Sequence, residues 1–321
     1  MNTLLNLYPV SASIDPSLLE VIASDLGVDP SFVEKDWYAM RIIAALITVD
    51  KLGIKLVFAG GTSLSKGFGL IKRFSEDLDF KVILPILEPT RKERSKYKNE
   101  ILDVIRNSSS DWSLNESDIK ARDNNSQVTC SITYQQNFKQ DIALRPYIKL
   151  DIKFTSLVLP VEEKPLTSFI SQAMELPPEV PLIACCSPVE TAAEKLSALT
   201  WRILTRNREN EHDDPSIIRH LYDLTALNQT IKDYQSFSSL VSKFMQEDVN
   251  SNRGKIQSLS IPKVELLPKM FEQLESDPIY HEEYTRFVEG MSYATEDECP
   301  AFEECIETVK SIVARLELAF D

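Results

Sequence analysis

The sequence predicts an α+β fold in which a lobe with a mixed sheet, residues 1–184, is followed by an α-helical lobe, residues 185–321. Apolar and polar residues alternate strictly over 147–154 and over 77–80, which is typical of strands with one buried face. The apolar run 56–58 is a third predicted strand. Helical patterns flank and interrupt these strands, so the first lobe is predicted to mix both kinds of element.

The remaining elements follow in chain order. Residues 1–50 are predicted to be helical, with Pro30 and Ser31 at the start of one helix. A further helix is predicted over 92–105 and a further strand over 128–134. Three prolines within 176–181 exclude a continuous helix there, and we interpret this segment as the boundary between the lobes. From residue 187 onward the pattern is helical.

Composition restricts the class of protein. The chain has 321 residues and ordinary apolar and charged fractions, which are typical of a globular protein with substantial cores. Its five cysteines lack CxxC spacing and it has only three histidines, so no zinc site is expected. Free thiols and the lack of a signal peptide or a long apolar run predict a cytoplasmic protein that does not contact a membrane.

A glycine pair follows the first apolar strand. Gly60 and Gly61 allow the backbone to turn sharply and to approach a ligand closely. Thr62 is the predicted N-cap of the next helix, whose free amide groups would face a ligand above the glycines. A phosphate group is the ligand that this arrangement favours, although a glycine pair alone is more often only a turn.

Acidic residues occupy alternate positions on two predicted strands. Asp77 and Asp79 share one face of their strand, and Asp151 lies on the polar face of another. If the two strands are neighbours, three carboxylates converge on a site for a hard cation, Mg²⁺ or Mn²⁺. A single DxD pattern is more often a solvated strand face. The ordered combination with the glycine pair is more specific, and it is typical of a metal-dependent nucleotidyltransferase.

Two helices of the second lobe carry charged candidates. Lys195 lies at the edge of an apolar stripe on a helix that begins at Ser187 and Pro188, so its ammonium is expected near the surface on which the helix packs. It either contacts a phosphate or extends to solvent. Arg219 and Asp223 are four residues apart, and a simple intrahelical ion pair is the alternative to a functional role for Asp223.

Several motifs together resemble the AbiEii-type nucleotidyltransferase toxins, the group that includes the MenT toxins. They are GGTSLSK at 60–66, RFSEDLDF at 73–80 and KLDI at 149–152, preceded by EKD at 34–36. The helix PVETAAEKLSAL carries Lys195 at the family's lysine position, and RHLYDL carries Asp223 at its aspartate position. His220, where many members have an acid, and the polar insertion 207–215 depart from the pattern.

The resemblance implies a polymerase-beta-like nucleotidyltransferase lobe and a helical lobe that completes the active-site cleft. It implies transfer of a nucleotide from an NTP to the 3′ end of tRNA, in a toxin paired with a cognate antitoxin or in a phage-defence system. The implied catalytic residues are Asp77, Asp79, Asp151, Lys195 and Asp223, of which Asp77, Asp79 and Asp151 are expected to hold the metal. The implied nucleotide-binding residues are Gly60, Gly61, Thr62, Ser63, Lys66, Arg73 and Ser75.

Charge is distributed unevenly along the chain, and this distribution indicates where an RNA acceptor of the nucleotide could bind. The net charge of −14 argues against nonspecific binding of nucleic acid. Residues 51–106, however, contain 12 Lys and Arg against 7 Asp and Glu, whereas 265–321 contain 4 against 15. The basic run 91–98 is either an RNA-binding surface or a solvated helix face. Two alternatives to RNA modification stay open, namely an NTP-binding partner without catalysis and transfer to a protein hydroxyl.

Overall fold

A computed structural model of the chain describes residues 14–86, 88–211, 213–250 and 261–317. The chain forms two compact units. The first comprises the residues up to Gly69 together with Phe74–Cys186, and the second comprises Leu70–Arg73 and the residues from Ser187 onward. The division after Cys186 lies two residues beyond the predicted end of the first lobe at residue 184, and the proline-rich segment 176–181 leads into the last strand of the first unit.

Capping residues mark the first two helices of the first unit. Asp15 and Asp29 precede a proline at the first helical position, and each accepts a hydrogen bond from the backbone amide two residues further on. The helices are α1 (Pro16–Leu26), α2 (Pro30–Leu46), α3 (Gly60–Thr62), α4 (Arg91–Ser108) and α5 (Phe169–Ala173). A π-helical turn follows α3 at Ser63–Gly67, and 3-10 turns span Ile47–Leu52 and Glu116–Asp118.

In the described part of the first unit, eight strands form one mixed sheet, which confirms the predicted fold class. They are β1 (Lys55–Ala59), β2 (Asp77–Ile83), β3 (Trp112–Ser113), β4 (Ile119–Arg122), β5 (Gln127–Tyr134), β6 (Ile148–Phe154), β7 (Glu162–Leu166) and β8 (Val180–Cys185). Their order is β3-β5-β6-β2-β1-β8-β7, and β4 pairs with β5. The pairs β2–β6 and β1–β8 are parallel, and the other pairs are antiparallel.

The two faces of the sheet differ in polarity. Leu78 and Phe80 of β2 lie in the main apolar core, to which α2 and α4 also contribute. Because side chains alternate along a strand, Asp77 and Asp79 lie on the opposite face. The fold thus places the DxD pattern on a central strand, with the glycine strand β1 on one side and the strand of Asp151 on the other.

The second unit is helical in its described residues. The side chain of Ser187 caps its first helix and accepts a hydrogen bond from the amide of Val189 at 3.3 Å, as the sequence predicts for the helix start. The helices are α6 (Pro188–Leu204), α7 (Arg219–Ile231), α8 (Phe237–Asn250), α9 (Leu266–Ser276), α10 (Ile279–Met291) and α11 (Phe302–Ala314). Short 3-10 turns span Pro215–Ile218, Lys263–Glu265 and Glu296–Glu298.

The short segment Leu70–Arg73 joins this helical unit through backbone contacts. Arg73 forms an isolated antiparallel bridge with Ser292, and the amide of Tyr293 donates to the carbonyl oxygen of Lys72 at 3.1 Å. Neither contact has a signal in the sequence, because the partners are more than two hundred residues apart. Across the described ranges, no helix is both long and apolar enough to cross a membrane.

Candidate active site

The glycine that follows β1 lies directly against the DxD strand. Gly60 has a φ of +70°, a left-handed conformation that side-chain-bearing residues rarely adopt. A Cβ atom at this position would lie 1.9 Å from Oδ2 of Asp79. Both the backbone conformation and the close approach to Asp79 therefore require glycine at position 60.

Thr62 is predicted to cap a helix, but its side chain makes no capping hydrogen bond. It is the last residue of the short helix α3 and immediately precedes the π-helical turn at Ser63–Gly67. Its hydroxyl donates a hydrogen bond to the carbonyl oxygen of Asp77 at 2.6 Å and lies 3.3 Å from that of Ser75. Thr62 thus ties the glycine motif to the segment that leads into the DxD strand.

Three acids lie in adjacent positions on the polar face of the sheet. In the strand register, Asp79 of β2 is opposite Asp151 of β6 and, on its other side, opposite Ala59 of β1. Asp77 is opposite Lys149. The prediction that the strand of Asp151 is a neighbour of the DxD strand is confirmed.

A basic side chain binds each of the two outer acids. Nη1 of Arg145 lies 2.7 Å from Oδ1 of Asp77, which is itself buried. Nζ of Lys149 lies 2.6 Å from Oδ2 of Asp151, and the hydroxyl of Thr129 donates to the other oxygen of that carboxylate. These contacts fix the positions of both carboxylates on the face.

Lys149 lies in the electrostatic field of all three acids. Burial lowers the pKa of its ammonium, but the charges of Asp77, Asp151 and Asp79 outweigh burial, so the pKa lies above its ordinary value. Within the described residues, no three His, Cys, Asp or Glu side chains form a group that could hold a metal ion. Basic side chains bind two of the three carboxylates, and the assignment of Asp77, Asp79 and Asp151 to a metal site stays a prediction.

Lys35 of the EKD segment in α2 helps to fix the backbone of Arg145, the residue that binds Asp77. Nζ of Lys35 lies 2.6 Å from Oε2 of Glu76 and donates to the carbonyl oxygen of Arg145 at 2.7 Å. Glu76 in turn accepts a hydrogen bond from the amide of Arg145 at 2.7 Å. Lys35 and Glu76 thus hold the backbone of Arg145 from both sides.

Lys66 forms a second buried ion pair with the same helix. Its ammonium lies 2.7 Å from Oδ1 of Asp36 and 3.4 Å from the centre of the Phe169 ring. Burial lowers the pKa of Lys66 and raises that of Asp36, because the low-dielectric interior disfavours both charges. The predicted contact of Lys66 with phosphate stays a prediction. Ser63, another predicted nucleotide-binding residue, is buried in the π-helical turn.

The second unit contains a buried group of three charged residues. The guanidinium of Arg73 binds both carboxylate oxygens of Asp223 at 2.7 Å, and Nζ of Lys195 lies 2.7 Å from Oδ2. Burial would raise the pKa of Asp223, but the charges of Arg73 and Lys195 outweigh it and hold the pKa well below its usual range. Burial lowers the pKa of Lys195, while Asp223 opposes the shift.

The structure bears on two predictions for these residues. Arg73 is buried and binds both carboxylate oxygens of Asp223, and its predicted contact with the nucleotide stays a prediction. Asp223 binds partners from two other segments of the chain, so an intrahelical pair with Arg219 is not its whole role. His220 is buried beside them, and burial and the charge of Lys195 hold its pKa well below the ordinary value.

Sequence reasoning missed Arg145 as a site residue. It lies in the irregular connection between β5 and β6, where no periodicity assigns a face to a side chain. Its partners Asp77 and Glu76 precede it by more than sixty residues. The sequence offers one indirect signal, because Glu76 belongs to the same RFSEDLDF motif as the two aspartates.

Comparisons with known proteins identify a family and a similar fold. The model of the family described as "Nucleotidyl transferase AbiEii toxin, Type IV TA system" matches residues 41–308. The fold is similar to that of MenT4, a nucleotidyltransferase toxin from Mycobacterium tuberculosis H37Rv, with a TM-score of 0.52 and 16% sequence identity. That similarity covers 95% of this chain and 100% of MenT4. No curated protein matches the sequence.

The family match covers most of the chain and includes the glycine motif, both aspartate strands and the helices of Lys195 and Asp223. These are also the elements that the structure places on the polar face of the sheet and in the buried charged group of the helical unit. The chain belongs to the AbiEii family of nucleotidyltransferase toxins, the toxin components of type IV toxin–antitoxin systems.

Proposed function

We propose that this protein transfers a nucleoside monophosphate from an NTP to an RNA acceptor, with the 3′ end of tRNA as the acceptor. The observation that carries the proposal is the position of Gly60 against Asp79, which is itself opposite Asp151. A glycine backbone permits close approach of a phosphate, and two carboxylates beside it supply ligands for the accompanying cation.

A divalent cation fits the residues present, with Asp77 and Asp79 as its ligands. Mg²⁺ binds through one or two carboxylates together with substrate phosphates, so a third protein carboxylate is not needed. Both aspartates lie on one face of β2, and because Gly60 has no Cβ, the carboxylate of Asp79 lies directly against the glycine backbone. When bound, Mg²⁺ or Mn²⁺ would neutralise charge on the phosphates and orient them.

In the proposed reaction, the acceptor hydroxyl attacks the α-phosphorus of the NTP in line with the leaving pyrophosphate. An oxygen–phosphorus bond to the acceptor forms while the bond to the β-phosphate oxygen breaks. Asp151, oriented by Lys149 and Thr129, would accept the hydroxyl proton. The amides at Gly60 and Gly61 would bind phosphate oxygens, and Lys66 and Ser63 would support that turn.

Residues of the helical unit contribute a positive charge in this proposal. Lys195 occupies the family's lysine position, and its ammonium would offset the charge that develops on the pyrophosphate. Asp223 and Arg73 would hold Lys195 in place, because one carboxylate binds both cations. This assigns Asp223 to positioning.

The surface of α4 is the proposed contact for RNA. Arg91, Lys92 and Lys96 are exposed at its N-terminal end, and Tyr97 lies beside them. Each phosphate contact requires a nearby cation, and these residues lie within the part of the chain where Lys and Arg exceed the acids. As a toxin of this family, the protein is expected to act in the cytoplasm on growth or phage propagation, opposed by a cognate antitoxin.

One experiment tests the proposal directly. The purified protein is incubated with each α-³²P-labelled NTP and total cellular RNA, and the products are separated by size and treated with ribonuclease or protease. The proposal predicts label in a ribonuclease-sensitive band of tRNA length, in the presence of Mg²⁺ or Mn²⁺. Label in a protease-sensitive band would assign the acceptor to a protein hydroxyl, and the absence of label with any NTP would contradict nucleotide transfer.

A further inference from the structure

Arg145 is held in place more firmly than a residue between two strands needs to be. Its amide donates to Glu76 and its carbonyl oxygen accepts from Lys35, while its guanidinium binds Asp77 at 2.7 Å. Lys35 and Glu76 also bind each other at 2.6 Å. Three elements, α2, β2 and the segment before it, thus fix one arginine.

The buried ion pair of Lys35 and Glu76 is not expected to add much to the free energy of unfolding. Its side chains are only 5% and 8% exposed, and transferring two charges out of water costs about as much as their attraction returns. What the pair does achieve is a fixed backbone at Arg145. The direction of the arginine side chain is therefore set by the fold.

The side chain of Arg145 reaches the surface at the face that carries the acids. It is 30% exposed, whereas the side chain of Asp77, which it binds, is 7% exposed. A guanidinium offers donors in a planar fork that matches phosphate oxygens in pairs, which a lysine cannot do. Arg145 thus combines a fixed backbone, a partly exposed side chain and a position next to the proposed metal ligands.

We propose that Arg145 is a substrate-binding residue that exchanges partners when the nucleotide arrives. Its guanidinium neutralises Asp77 in the nucleotide-free protein, then binds the triphosphate and leaves Oδ1 of Asp77 to the divalent cation. In the nucleotide-free protein the guanidinium of Arg145 competes with the metal for Oδ1 of Asp77. Binding of the nucleotide removes this competitor, so binding of the metal is coupled to binding of the nucleotide. The inference rests on the proposed placement of the nucleotide at Asp77 and Asp79.

Two binding measurements on the free protein test the exchange without relying on catalysis. Binding of Mn²⁺ alone is followed by electron paramagnetic resonance, and binding of a non-hydrolysable NTP by calorimetry. Arg145→Gln removes the competing cation, so it should bind Mn²⁺ several-fold more tightly and the NTP analogue about tenfold more weakly than wild type. If Arg145 only stabilises the fold and does not contact the substrate, Arg145→Gln should not strengthen Mn²⁺ binding while it weakens binding of the NTP analogue.

Two further variants make the test specific. Arg145→Lys keeps the charge but loses the planar fork, so it should leave Mn²⁺ affinity near wild type and still weaken the analogue; it also serves if the glutamine variant does not fold. Arg122→Gln makes the same change at an exposed position of β4 and should alter neither affinity.

Asp79→Asn separates this inference from the proposed function. If Asp79→Asn weakens the analogue but the Arg145 variants bind it as wild type does, the partner exchange is wrong and the proposed site stands. If Asp79→Asn also binds the analogue normally, or if the wild type binds none, the nucleotide is not at this face and both proposals fail. Opposite shifts in the two affinities of Arg145→Gln support the exchange.

Discussion

Asp79 and Gly60 are in such close contact that a methyl group on the glycine would lie 1.9 Å from the carboxylate. Gly60→Ala should therefore displace Asp79 as well as strain the backbone, and nucleotide transfer should fall by at least about a hundredfold. Gly27→Ala is the matched control, because Gly27 also has positive φ but nothing lies within 4 Å of its Cβ position. It should lose about 1 kcal/mol of stability and no activity.

Urea unfolding and transfer assays on both alanine variants measure these effects. The comparison removes backbone strain as an explanation, since both substitutions introduce it. Equal activity in the two variants would show that the approach of Gly60 to Asp79 has no part in the reaction.

The buried charged group of the helical unit predicts unequal losses of stability. Asp223→Ala leaves Arg73 and Lys195 buried without their carboxylate and should destabilise by about 3–5 kcal/mol. Lys195→Met keeps the aliphatic stem and leaves Asp223 bound to Arg73, so its cost should be smaller, about 1–3 kcal/mol. Urea unfolding of both variants measures the difference.

Transfer by Lys195→Met tests whether the lysine also acts on the substrate. If its ammonium offsets charge on the pyrophosphate, activity should fall by orders of magnitude while the variant remains folded. Activity close to wild type, together with the expected loss of stability, would make Lys195 purely structural.

The basic end of α4 predicts a salt-dependent contact with RNA. The test variant replaces four basic residues of this helix by glutamate, namely Arg91, Lys92, Lys96 and Lys98. Arg94 is left unchanged, because its guanidinium donates to the carbonyl oxygen of Asn124 at 3.0 Å and its loss would disturb the fold. The four charge reversals should weaken RNA binding and lower the salt slope of that binding by about 0.7 per lost phosphate contact.

A variant on the acidic side of the chain is the control for this measurement. Glu303, Glu304 and Glu307 are exposed on α11, and their replacement by glutamine should change neither RNA affinity nor its salt slope. An unchanged slope in the basic-helix variant would place the RNA elsewhere and would favour a protein acceptor.

Periodicity in the sequence is sufficient to predict the two strands that carry the acids of the site. The alternation of Leu78 and Phe80 with the two aspartates, and the same pattern around Asp151, predicted two strands with their acids on one face. That these strands are neighbours was conditional in the sequence and is confirmed by the register of Asp79 and Asp151.

What the sequence could not predict depends on contacts between distant segments. The partner of Arg73 is Asp223, 150 residues away, and no local pattern indicates that pairing. Arg145 binds Asp77 from a connection without secondary structure. Residue type alone predicts Thr62 as an N-cap, whereas its hydroxyl donates to the carbonyl oxygen of Asp77 on β2 and makes no capping hydrogen bond. The positions of these side chains are set by tertiary contacts, which local sequence patterns do not encode.

The proposed metal site is tested most directly by comparing Asp79→Asn and Asp77→Asn with Asp25→Asn, which makes the same change at an exposed position of α1. Transfer of label from an α-³²P-NTP to total RNA is measured at saturating Mg²⁺ for each folded variant. If Asp77 and Asp79 hold the cation, labelling should fall by at least about a hundredfold in Asp79→Asn and in Asp77→Asn and stay at the wild-type level in Asp25→Asn, because only the first two remove anionic ligands of the cation. Labelling by Asp79→Asn at the wild-type level would contradict this metal site.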